Sequence, residues 1–190
     1  MNFFDSFYKK DKDQKKMNFS LEVGPHTDLE TLPPVKDVYV TMLPGGDYKE
    51  TAAKSGDLVK KGFNPVPHFP ARSILDEHQL KDFITRCKDV GTKQALVIGG
   101  SRDPIGKFDS SIQILETGFF EGIKIGIAGH PEGSPDISDK ELEKAMMDKK
   151  PYADYIVTQW LLDSQPIVDF ISKQSVPVHV GITGPMKISS

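Results

Sequence analysis

Seven short apolar runs recur along the chain, roughly 25–30 residues apart, with helical patterns between most of them. The runs are NFSLEVGP (18–25), DVYVTMLPG (37–45), FNPVPHFPA (63–71), QALVIGG (94–100), IKIGIAGHP (123–131), DYIVTQWLLD (154–163) and VPVHVGITGP (176–185). Most are rich in Val, Ile or aromatics and lack a clean polar alternation, as expected of strands covered on both faces. Between them, YKETAAKSGDLVKKG and LDEHQLKDFITRCKDVG carry apolar residues at helical spacing and stop at Gly62 and Gly91. SDKELEKAMMDKK opens with Ser138 three residues before Glu141, a capping-box pattern. DSQPIVDFISKQ predicts one apolar stripe of Ile167, Val168, Phe170 and Ile171.

Strand and helix in alternation specify a parallel sheet built from right-handed crossovers. Seven units favour a (β/α)8 TIM barrel over an open doubly wound sheet, although a full barrel takes about 250 residues and this chain has 190. The expectation is therefore an α/β barrel with about seven strands, lacking the last βα unit and C-terminally truncated. Residues 1–17 are expected to form an N-terminal helical extension with Phe3, Phe4 and Phe7 on its buried side, and residues 18–190 the barrel domain.

Composition limits the partners. A net charge of −3 gives no footprint for nucleic acid or an anionic membrane. No apolar run approaches the roughly 18 residues of a membrane span, and the N-terminus lacks the apolar core of a signal peptide. The single cysteine, Cys87, reads as a half-buried helix thiol and leaves no thiolate cluster for zinc. A cytoplasmic protein acting on a small molecule is expected, with homo-oligomerisation left open.

Barrel active sites sit at the C-terminal ends of the strands. The chemistry-bearing residues there are Glu22, Thr41, His68, Asp103, His130, Glu132, Gln159 and His179. Glu22 carries the most weight, because an unpaired carboxylate in an apolar strand costs several kcal/mol or is forced neutral. The glycines of GGSRDPIG and GHPEGSP allow a ligand to approach the main chain, or else serve tight turns.

The set SLEVGP, VYVTMLPG, PVPHFPAR, RDPIG, AGHPEGSP and IVTQWLLD, in this order, resembles the methylenetetrahydrofolate reductases, from about Phe19 to Pro185. The resemblance implies flavin-dependent reduction of 5,10-methylenetetrahydrofolate to 5-methyltetrahydrofolate in one-carbon and methionine metabolism. It implies FAD as cofactor, NAD(P)H as hydride donor and a folate as substrate. It makes Glu22 the catalytic general acid and a substrate contact, and Gln159 the residue that binds the folate pterin. Thr41, His68, Asp103, Ala128 and His130 become flavin-binding positions, and no metal is expected. The chain departs from that family at Ser134, where His is usual, and at Arg102, whose setting in GGSRDP differs from the usual RGDP. No lysine of ELEKAMMDKK aligns unambiguously with the family's flavin-phosphate lysine. Two alternatives stand beside it. One is a flavin- or folate-binding barrel fragment without turnover. The other is a metal-dependent barrel hydrolase using Glu22, His68, Asp103, His130 and His179.

Overall fold

The computed structural model describes residues 18–135 and 137–184. The proposed N-terminal helix with Phe3, Phe4 and Phe7 lies outside the described residues. Seven strands form one parallel sheet in the order of the chain: β1 (Leu21–Val23), β2 (Asp37–Val40), β3 (Asn64–Pro70), β4 (Gln94–Ile98), β5 (Lys124–Gly129), β6 (Tyr155–Trp160) and β7 (Val178–Gly181). Among the described residues five α-helices are interleaved: α1 (Tyr48–Lys60), α2 (Glu77–Asp89), α3 (Ser111–Leu115), α4 (Asp139–Lys149) and α5 (Ser164–Ser172). A doubly wound sheet reverses its strand order at a switch point. This one does not, and the architecture is an incomplete (β/α) barrel.

Local chemistry fixes the helix starts. Asp47, Asp76 and Asp163 accept backbone N–H groups of the first turns of α1, α2 and α5. Ser138 and Glu141 form the expected capping box at α4. The helix α3 has only five residues, too few to display a 3.6-residue period.

β3 carries Pro65 and Pro67 although it lies between two strands. It pairs with β2 through Asn64–Pro67 and with β4 only through His68–Pro70. The Asn64 N–H donates to Lys36 O on the β2 side, so alternation turns Pro65 and Pro67 towards β4, ahead of the first β3–β4 rung. No ladder donor is lost there.

The main core lies between sheet and helices. Phe69, Ile127 and Ile156 of the sheet meet Leu80 and Phe83 of α2 and Ile114 of α3, all fully buried. Phe69 packs its ring 4.1 Å from that of Phe83 and edge-on to Phe120 at 5.1 Å. Cys87 is buried in this layer, deeper than the sequence suggested, and burial pushes its thiol up to about 12. The stripe expected on α5 is not realised. Phe170 packs on the core, whereas Val168 and Ile171 are exposed.

A second, smaller core fills the concave face, with Tyr39, Val66, Leu96 and Tyr155 buried against one another. The sheet must curl strongly to make it. Five strand spacings separate β2 from β7, about 24 Å in a flat sheet. Yet the Tyr39 hydroxyl on β2 lies 2.7 Å from His179 Nδ1 on β7.

Candidate active site

Strand alternation sends one set of side chains to the helices and the other into the lumen. The register identifies the inner set. Glu22 is opposite Tyr39, which is opposite Val66. His68 is opposite Leu96, Leu96 opposite Gly126, and Gly126 opposite Tyr155. Val157 is opposite His179. Glu22, Tyr39, His68, Tyr155 and His179 therefore share the concave face, one from each of five strands. Below them, Asp37 closes the floor by accepting from Asn64 Nδ2 at 3.1 Å and Gln94 Nε2 at 3.2 Å.

His68 is the buried member. Its Nε2 has no hydrogen-bond partner among the described residues and lies 4.0 Å from Glu22 Oε2. That is too long for a hydrogen bond. It is not an ion pair either, since burial pushes the His68 imidazole down to about 4 and so keeps it neutral at pH 7. Burial also raises the Glu22 carboxyl above its ordinary value, although the side chain remains 64% exposed to the mouth.

The opposite wall is tightly bonded. His179 stacks on Tyr155, with centroids 4.6 Å apart and planes at 23°. Burial holds its imidazole below the ordinary value, against an upward pull from Asp37. Burial pushes the Tyr39 phenol far up, and the Tyr155 hydroxyl donates to Ala95 O at 3.4 Å. The Tyr39 ring also meets His68 edge-on at 6.0 Å. Gly126 leaves the space that the Tyr155 ring fills, because a Cβ there would stand 2.5 Å from Tyr155 Cε2.

The other sequence candidates do not join this cluster. The Thr41 hydroxyl donates to Val23 O at 3.2 Å, tying the ends of β1 and β2. Asp103 is exposed in the loop after β4. Gln159 is exposed, its amide 3.4 Å from Gly133 O. Ala128 is half-buried, and its carbonyl accepts from the buried Lys149 Nζ at 3.4 Å. His130, beside it, is held below its ordinary value by burial and by Lys149. Among the described residues, no group of three or more His, Cys, Asp or Glu side chains is placed to hold a metal ion, so the hydrolase constellation does not assemble.

Tyr39 and Tyr155 were not among the candidates. The available signal was a tyrosine within each apolar run, VYVT and DYIVT, at positions that alternation places on the lumen face.

The glycine-rich loops have structural explanations. Gly100 and Gly133 have φ of +94° and +79°, a region that favours glycine. A Cβ on Gly106 would stand 1.9 Å from Leu75 O, and one on Gly129 2.7 Å from Ile156 Cγ2. These glycines serve turns and chain packing.

No family model matches the sequence. Solved structures similar to this chain include three barrels of different description. A protein described as a putative phosphonomutase from Burkholderia cenocepacia J2315 superposes with a TM-score of 0.61 at 10% identity, over 86% of this chain and 77% of its own. Dihydrodipicolinate synthase from Agrobacterium tumefaciens gives 0.49 at 12% identity, over 77% and 52%. Tryptophan synthase from M. tuberculosis gives 0.47 at 12% identity, over 86% and 82%. None of the three is a folate reductase. The assignment to the methylenetetrahydrofolate reductases, with its oxidoreductase activity and flavoprotein character, is corrected accordingly. Several of the quoted motifs are Gly- and Pro-bearing strand ends, which tight turns also use. FAD, NAD(P)H and folate rested on that resemblance and on those loops, and have no separate support. The comparisons establish the barrel alone.

Proposed function

We propose that this barrel moves a proton at the carbon next to a carbonyl group of a small polar substrate. Glu22 is the base, and the neutral His68 ring, as its Nε2–H tautomer, donates to the carbonyl oxygen. The C–H bond breaks and its proton passes to the Glu22 carboxylate. The electron pair moves into a C=C bond, and negative charge collects on the oxygen facing His68. The proton returns to the same carbon or to its neighbour. The carrying observation is the orphaned, buried Nε2 of His68 at 4.0 Å from a lumen carboxylate. A buried polar atom without a partner costs about 1–3 kcal/mol, and a substrate oxygen accepting from it would remove that cost. A carboxyl shifted upward towards neutrality is suited to taking and returning a proton. The likeness to the Burkholderia cenocepacia protein contributes the fold and nothing of this chemistry.

The test is hydrogen exchange. The protein is incubated in D2O with a panel of small 2-oxo acids and hydroxy ketones, and loss of α-proton signals is followed by NMR. At least one substrate should exchange above background, and Glu22→Gln should slow it by about 100- to 10,000-fold. No exchange across the panel, or exchange in Glu22→Gln as fast as in the wild type, overturns the reading.

A further inference from the structure

Tyr39 touches both histidines of the lumen. Its ring meets His68 edge-on, and its hydroxyl is 2.7 Å from His179 Nδ1. The His179 ring is thereby fixed twice, by stacking on Tyr155 and by the bond at Nδ1. Its Nε2 has no hydrogen-bond partner among the described residues. The Tyr155 hydroxyl donates to Ala95 O at 3.4 Å, so among the described residues His179 Nδ1 is the acceptor open to the single Tyr39 proton.

Resting on the reading above, we infer that Tyr39 locks His179 as the Nε2–H tautomer, and that this N–H is a second donor to the substrate from the wall opposite Glu22 and His68. Tyr39 is then a positioning residue and His179 a catalytic one. Neither histidine supplies a net proton. Each stabilises a developing oxyanion by a hydrogen bond from a neutral ring, the arrangement that keeps a fixed dipole aimed at charge as it forms. Both rings abut Tyr39, and on this inference the two N–H groups act on one small molecule. Two converging donors suit two vicinal oxygens. This matches the hydroxy ketones and 2-oxo acids of the exchange panel, whose enediol or enol forms carry oxygen on adjacent carbons.

The tautomer is read on the resting protein, without substrate, by long-range 15N–1H NMR of the histidine rings. His179 should show an unprotonated Nδ1 and a protonated Nε2, and Tyr39→Phe should shift it towards a mixture. In the exchange assay, Tyr39→Phe should lower kcat about tenfold with KM within about twofold. His179→Phe, which keeps a ring on Tyr155, should lower kcat by about 100-fold or more. A protonated Nδ1 in the wild type overturns the inference, as does wild-type kcat in His179→Phe. Failure of the wild type to exchange any substrate overturns the proposed function and with it the substrate role of His179, whatever the tautomer.

Discussion

His68 shows how much one buried ring can set. Its imidazole is neutral in the fold and pushed down to about 4, whereas in the unfolded chain it titrates near 6.5. Above pH 6.5 the ring is neutral in both states and its contribution to stability is fully present. As the pH falls from 6.5 towards 4, the unfolded chain takes up a proton that the folded chain refuses, and stability is lost. The full loss is about 3 kcal/mol. Glu22 opposes it, since a carboxyl raised by folding binds its proton more readily in the folded state and gains stability as the pH drops. Urea unfolding at pH 7 and pH 4.5 should therefore show a smaller fall in stability for His68→Phe than for the wild type. Equal falls would mean that the ring titrates normally in the fold.

At the scale of elements, β5 meets β6 through a shape match inside the lumen. Gly126 and Tyr155 are register partners, and the ring occupies the place of the missing side chain. Gly126→Ala should cost about 1–3 kcal/mol, because the ring is held by its stack on His179 and has little freedom to retreat. Gly99, at the end of β4, is the contrasting case. A Cβ there meets nothing within 4 Å, and its φ is not positive. Gly99→Ala should change stability by less than about 0.5 kcal/mol. Thermal melts of the two variants decide the matter, and equal costs would remove the packing argument. β3 makes the same point for proline, which is tolerated because the rungs with β2 and β4 occupy different halves of the strand.

For the molecule as a whole, the bond between Tyr39 and His179 joins β2 to β7 across the lumen, 140 residues apart in the chain. It fastens the curl of the sheet as well as aligning the ring. A double-mutant cycle of Tyr39→Phe and His179→Phe in urea should give a coupling of about 1 kcal/mol, the net worth of one such hydrogen bond. Additivity within about 0.3 kcal/mol would show that the curl is set by backbone twist and helix packing alone.

The sequence by itself determined the order of elements, because apolar period and capping chemistry are local. Asp47, Asp76 and Ser138 mark helix starts, Gly62 and Gly91 mark stops, and the Val- and Ile-rich runs fall on the seven strands. It also pointed to Glu22, His68 and His179, since polar groups in apolar strands stand out without a fold. It misjudged the loops, where a glycine required by a positive φ or by a neighbouring chain reads the same as one that admits a ligand. It gave no sign that Tyr39 would join His68 to His179. That juxtaposition depends on how far a seven-stranded sheet curls, which accumulates over every strand and is written in no single segment. Only the tertiary structure decided which polar atoms were satisfied, and so left His68 Nε2 buried without a partner beside Glu22.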